Sequence, residues 1–194
     1  MDAFSCAACP RRCGALRKPA QPSGGFCGMP AGFVVARAAL HQWEEPCISG
    51  QHGSGTVFFS GCSLRCVYCQ NQQISLGRYG ALVTEENLLR MFDRLIEQGA
   101  HNLNLVNPTH YAPMLAKALK KYCSPVPVIY NSGGYERVEM LKALEGLVDI
   151  YLPDLKYVDS AVSLRYSGAA DYFDYVIIDE FHHAVTDQYR RIVE

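Results

Sequence analysis

From residue 56 onward the apolar positions follow two alternating periods. Residues 56–61 (Thr-Val-Phe-Phe-Ser-Gly) form a short apolar run of the kind that makes a buried strand, and a cysteine-bearing loop follows directly. Thr84 reads as the N-cap of a helix through Gln98, with Leu88, Phe92, Leu95 and Ile96 on one face and Gly99 as the stop. Residues 102–108 make the next strand. Pro113 suits the first turn of a helix running to Tyr122, with Leu115, Ala118, Leu119 and Tyr122 facing inward. A third strand (126–130) ends at Asn131-Ser-Gly-Gly134, and a third helix (136–145) closes at Gly146. A fourth strand covers 148–156, and Asp159 or Ser160 opens a short fourth helix.

Strands alternating with helices predict βαβ units, hence an α/β fold with a parallel sheet and right-handed crossovers. In such sheets ligands bind at the carboxyl ends of the strands. Each polar cluster of this chain falls at such an end: the cysteine loop, 107–110, 131–134 and 154–156. One shared face is therefore expected to carry the chemistry.

Residues 1–30 break the pattern. They are rich in Cys, Pro, Gly and Arg, show no periodicity, and cannot bury enough apolar surface to fold without a staple. The whole chain, 194 residues and 49% hydrophobic, suits one soluble domain with a real core. Its 19 acidic and 18 basic residues nearly cancel, so no charge field points to nucleic acid or to an anionic membrane. No apolar run approaches the roughly 18 residues of a membrane helix. The opening residues carry no apolar stretch behind their basic ones, so a secretory signal is not expected and a cytoplasmic location is.

The nine cysteines change the picture most. In a reducing compartment they point to metal ligation rather than to disulfides. Seven fall into two groups: Cys6, Cys9, Cys13 and Cys27, then Cys62, Cys66 and Cys69. Cys47 and Cys123 stand apart and are expected to be small buried hydrophobes. The second group has the spacing C-x3-C-x2-C. Three thiolates on one short loop can each bind a different iron of a cubane, and with no fourth thiolate nearby one iron keeps an open position. Zinc would want a fourth ligand, and none follows Cys69 at zinc-finger spacing.

Gly61-Cys-Ser-Leu-Arg-Cys-Val-Tyr-Cys-Gln-Asn71 resembles the cluster loop of radical S-adenosylmethionine (SAM) proteins. The chain is similar to the group related to pyruvate formate-lyase activating enzyme, in particular to homologues with a cysteine-rich N-terminus. The likeness covers about residues 5–173. It is carried also by Cys9-Pro-Arg-Arg-Cys-Gly14, Glu44-Glu-Pro-Cys-Ile-Ser-Gly50, Asn131-Ser-Gly-Gly-Tyr-Glu136 and Leu152-Pro-Asp-Leu-Lys156. The resemblance implies a [4Fe–4S] cluster on Cys62, Cys66 and Cys69 whose open iron is chelated by the amine and carboxylate of SAM. Reductive cleavage would give a 5′-deoxyadenosyl radical that abstracts hydrogen from a substrate, with a glycine of a partner protein and a small molecule as equal candidates. An electron donor such as flavodoxin or ferredoxin is implied. Tyr68 would lie near the adenine, Asn131 and Ser132 would approach SAM, and Asp154 and Lys156 would contact its ribose and carboxylate. Asn71 would be a loop amide near the cofactor.

Three departures qualify that likeness. Where many radical SAM proteins carry Gly-Gly-Glu, binding the SAM amine, this chain has Asn107-Pro-Thr-His-Tyr111. Thr109 and His110 are candidates to take over, and His110 is a candidate to act on substrate or to be a structural histidine. Cys6, Cys9, Cys13 and Cys27, spaced C-x2-C-x3-C-x13-C, make a four-thiolate site for structural zinc or a second iron–sulfur cluster. Only four βα units are counted, fewer than a complete partial barrel of this type has; a truncated, non-catalytic iron–sulfur protein is the alternative.

The expected domains are a Cys-rich segment (1–50), a partial radical SAM domain (51–173) and a foreign or truncated tail (174–194). In that tail Asp179-Glu-Phe-His182 resembles the second motif of superfamily 2 helicases. Without a G-x-x-x-x-G-K-[ST] loop a helicase function is rejected. A diverged native ending, with 176–178 as a fifth strand, is the other reading.

Overall fold

The structure is a computed structural model that describes residues 2–77 and 79–176. Its strands are β1 (Phe4–Ser5), β2 (Leu16–Arg17), β3 (Phe33–His41), β4 (Ser54–Phe59), β5 (Ala81–Val83), β6 (Leu103–Val106), β7 (Val128–Ser132) and β8 (Ile150–Pro153). Its α-helices are α1 (Pro46–Ser49), α2 (Gln72–Ser75), α3 (Glu85–Glu97), α4 (Ala112–Tyr122), α5 (Val138–Ala143), α6 (Ser160–Ser167) and α7 (Tyr172–Tyr175).

The four expected strands are present as β4, β6, β7 and β8, side by side and parallel. Two strands missing from the sequence reading extend them. β3 pairs antiparallel with β4 and, on its other edge, with β5, giving the order β5-β3-β4-β6-β7-β8 in a mixed, mostly parallel sheet. The fold is thus α/β and consistent with a partial βα barrel. β3 lies before residue 50, so the sheet crosses the boundary expected there. β1 and β2 form a separate two-stranded ribbon in the Cys-rich segment.

Local chemistry explains the element ends. The Thr84 hydroxyl accepts from the Asn87 N–H, and Asp159 accepts from the Val162 N–H, so both expected N-caps are made. β7 begins after Pro127, which offers its carbonyl to the Leu103 N–H but has no N–H to give to the ladder. α5 starts two residues later than expected because Tyr135 and Glu136 turn inward and are buried.

α3 packs Leu88, Phe92 and Leu95 on the sheet, and α4 packs Leu115, Ala118 and Leu119 beside it. Full burial of each such side chain contributes about 1.5–3 kcal/mol. Phe33, Phe59 and Tyr111 pack ring against ring, with centroids 5.4–6.1 Å apart, so the unanticipated β3 is tied into the centre of the core. Cys47 and Cys123 correct the expectation placed on them. Both are exposed, and Cys123 holds the left-handed C-cap of α4.

A smaller core, made by Leu64, Cys66, Tyr135, Tyr157, Ala169, Tyr172 and Val176, sits under the cysteine loop. Val176 is buried there but follows α7, not a strand. Ile177 onward, including the Asp-Glu-Phe-His segment, lies outside the described residues. The Tyr172 hydroxyl lies 2.8 Å from the carbonyls of both Gly133 and Asp154 and accepts from the Lys156 N–H at 2.9 Å. It ties the exits of β7 and β8 together. Tyr172→Phe should therefore destabilise the chain by about 1–3 kcal/mol in urea denaturation, because it strands buried backbone groups; an unchanged midpoint would show that water replaces the hydroxyl.

Candidate active site

The carboxyl ends of β4, β6, β7 and β8 open into one pocket, as the strand arrangement predicts. Cys62, Cys66 and Cys69 line it together with Asn71, Asn107, Asn131, Ser132, Asp154 and Lys156. Seven of the residues singled out from sequence thus share one cavity with the loop. These are the three cysteines, Asn131, Ser132, Asp154 and Lys156; Asn71, at the N-cap of α2, is an eighth. Tyr68 does not line the pocket. It is exposed at the rim, edge-on to Tyr157 and Tyr166 at 6.0 and 6.3 Å.

Burial pushes the Cys62 thiol up, and its neighbours Cys66 and Cys69 push the same way. Two hydrogen bonds reach the sulfurs: the Leu64 N–H donates to Cys62 Sγ at 3.3 Å, and the Ser167 hydroxyl donates to Cys66 Sγ at 3.0 Å. Among the described residues no three His, Cys, Asp or Glu side chains close round a point as ligands of one ion would. A cubane asks for a wider arrangement, because each thiolate takes a different iron. Three soft donors in one pocket fit that group.

In the segment 107–111 the structural reading of His110 is the one that holds, and Thr109 and His110 do not stand in for Gly-Gly-Glu in the pocket. His110 is 1% exposed, and its Nε2 lies 2.8 Å from the Ser60 carbonyl. Burial, with the Arg17 guanidinium nearby, lowers its pKa to about 3, so the ring stays neutral and Nε2–H donates. The Tyr111 hydroxyl is 3.3 Å from the same carbonyl, and the Asn107 amide donates to the Gly61 carbonyl. These contacts clamp the backbone immediately before Cys62. His110 is consequently structural, and neither it nor the buried Thr109 lines the pocket. Asn107 does line it, and it holds a left-handed backbone (φ 59°) that Asn adopts more readily than most residues.

Asp154 and Lys156 are joined at the mouth, Nζ to Oδ2 at 2.6 Å. Burial works against the lysine's charge, but the Asp154 contact outweighs it and leaves the Lys156 pKa raised. The pair presents an acceptor and a fixed cation side by side, which suits a hydroxyl and a carboxylate.

From the other side the Cys-rich segment grips the loop. Arg11 donates from Nε to the Ser63 carbonyl at 2.7 Å and from its other nitrogens to the carbonyls of Ser167 and Gly168. Gly61 has φ +80°, and a Cβ there would lie 2.5 Å from Met29 Cγ and 3.0 Å from the Cys27 carbonyl. Only glycine permits that approach. Sequence reasoning missed Arg11, Met29 and Glu136. The last is a carboxylate, 2% exposed, that accepts from Thr109 Oγ1 at 2.5 Å and from the Tyr130 hydroxyl at 3.1 Å. Its position in Asn131-Ser-Gly-Gly-Tyr-Glu136 was the one available signal.

Comparison with known proteins decides the family. The radical SAM superfamily model matches residues 56–183, well over half of the chain and past the boundary expected at 173. The chain belongs to the radical SAM superfamily. Membership brings a [4Fe–4S] cluster and SAM with it, and the cysteine loop and its pocket are where this radical SAM chain would hold them. Over 192 aligned residues the chain is 30% identical to an uncharacterised protein of Methanocaldococcus jannaschii, covering 95% of this chain and 54% of that protein. The radical SAM chain therefore spans about half the length of this relative. No helix among its described residues is long and apolar enough to cross a membrane.

Proposed function

We propose that this radical SAM chain cleaves SAM reductively and passes the resulting radical to a substrate by hydrogen abstraction. The observation that carries the reading is the meeting of three cysteine side chains with Asn131, Ser132, Asp154 and Lys156 in one pocket at the strand ends. When bound, the cluster supplies the electron and the open iron, and SAM supplies the 5′-deoxyadenosyl radical.

The protein's own part is to bind, orient and shield. Cys62, Cys66 and Cys69 hold the cluster. Lys156, fixed by Asp154, meets the carboxylate of SAM, while Asp154 accepts from a ribose hydroxyl. Asn131 and Ser132, at the end of β7, supply amide and hydroxyl groups to the same ligand, and Asn71 borders it. Tyr68, exposed on the cysteine loop, would fold over an adenine that projects from the pocket. Phe58, Phe59 and Val106 give the cavity an apolar wall, which limits water where a radical has to survive. The likeness to activating enzymes favours a glycine of a partner protein as substrate and a flavodoxin or ferredoxin as electron donor.

The test is anaerobic incubation of the reduced protein with SAM, with 5′-deoxyadenosine as the readout. Turnover above a cluster-free control is expected, and Lys156→Met should weaken SAM binding by about ten-fold, one lost charged contact. Absence of 5′-deoxyadenosine from protein with a full, reduced cluster would instead favour a non-catalytic iron–sulfur protein.

A further inference from the structure

Arg17 is the most deeply buried charge of the described residues. It lies on β2, 1% exposed, with Phe4 and Tyr111 flanking its guanidinium at 6.0 and 5.8 Å. Its one hydrogen bond runs from Nη2 to Cys27 Sγ at 3.3 Å, and the buried Nη1 has no partner. Among the described residues no carboxylate forms an ion pair with it. His110, the nearby imidazole, is neutral and offers no countercharge. A guanidinium cannot shed its proton to escape burial, and an unpaired buried charge costs several kcal/mol. Some anion has to stand beside Cys27.

The cysteines themselves can supply it. Cys6, Cys9 and Cys27 are buried and Cys13 is exposed, and the sulfurs of Cys27, Cys6 and Cys13 lie near enough to that of Cys9 to act on it electrostatically. Backbone N–H groups face these sulfurs too, Arg11 toward Cys9 and both Ala15 and Phe26 toward Cys13, as they do round metal-bound thiolates. Four neutral thiols would carry no charge. These sulfurs do not close round a point as the ligands of a single zinc ion would, but a cubane takes each thiolate on a different iron, and four thiolates round a [4Fe–4S]²⁺ cubane carry about −2.

We propose that Cys6, Cys9, Cys13 and Cys27 ligate a second, anionic iron–sulfur cluster, and that Arg17 is its buried countercharge. Arg17 acts from behind the ligands as a positioning residue: it touches Cys27 and leaves the metal to the four sulfurs. The site is separate from the SAM pocket, so it stands or falls independently of the proposed SAM cleavage.

The experiment uses the full chain with the loop disabled, C62A/C66A/C69A, reconstituted anaerobically with iron and sulfide and, in a parallel sample, with zinc. About one metal centre per chain should remain, and the further changes Cys9→Ser and Cys27→Ser should abolish it. Iron with acid-labile sulfide is expected; retention of zinc alone would overturn the cluster. On the same background Arg17→Gln should speed metal loss to a chelator at least ten-fold, whereas Arg17→Lys, which keeps the charge, should stay within about three-fold of the parent. A folded loop mutant, checked by circular dichroism, that holds neither metal would overturn the site. Equal loss from the Gln and Lys variants, or none from Gln, would overturn the countercharge.

Discussion

Replacing Cys62, Cys66 and Cys69 together by Ala removes the SAM-induced change in the paramagnetic resonance spectrum of the reduced protein, and with it 5′-deoxyadenosine formation. The expected effect is complete loss, because these three side chains are the pocket's thiols and none of the other lining residues is a soft donor. Single replacements are less decisive, since a cubane can persist on two thiolates and a solvent ligand. The fold should survive the triple change: of the three, only Cys66 is fully buried, and Leu64, Tyr135 and Tyr172 carry most of the small core beneath. A SAM-responsive cluster in the triple mutant would remove the assignment of the loop.

Glu136→Gln should stabilise the protein in alkaline solution and not in acid. Burial, only partly offset by bonds from Thr109, Ser132 and Tyr130, raises the Glu136 pKa from 4.5 to about 7. The folded chain therefore keeps a proton that the unfolded chain releases between pH 4.5 and 7. Stability from this group is fully present below pH 4.5, falls as pH rises through that window, and is lost above 7 by about 3 kcal/mol. The groups facing Glu136, Tyr130 and Tyr151, are both raised and stay neutral throughout. His110 works in the opposite sense. Its folded pKa is lowered from 6.5 to about 3, so its contribution disappears as pH falls below 6.5. The parent curve sums two opposed slopes, and only the difference between parent and Glu136→Gln isolates one. That difference should grow by about 3 kcal/mol from pH 4 to pH 8 in urea denaturation; a flat difference would mean that Glu136 is ionised throughout.

The sequence announced the elements whose signal is local. Thr84 and Asp159 are caps that work within one turn, and the apolar stripe of α3 repeats over its whole length. The three loop cysteines were legible for the same reason, being eight residues end to end. β3 was not, because residues 33–41 become a strand only by pairing with β4 and β5, and their alanines carry little strand preference of their own. Arg17 and Arg11 were hidden differently. An arginine in a polar, irregular segment reads as a solvated charge, and its burial becomes visible only once Tyr111 or Ser167 is brought against it from far along the chain. Glu136 follows the same logic, since Thr109 reaches it across 27 residues.

Arg11 also sets an order of events during synthesis. Two of the carbonyls it holds lie 156 and 157 residues downstream of it. Synthesis runs from the N-terminal side, so Arg11 can reach the Ser63 carbonyl early, but its other two partners are absent until Gly168 has left the exit tunnel. Until then the six strands of the main sheet can pair, while the Cys-rich segment remains undocked from the C-terminal side of the loop. The fastener is thus half closed until residues 167 and 168 arrive, and both cysteine groups stay open to whatever delivers metal until then.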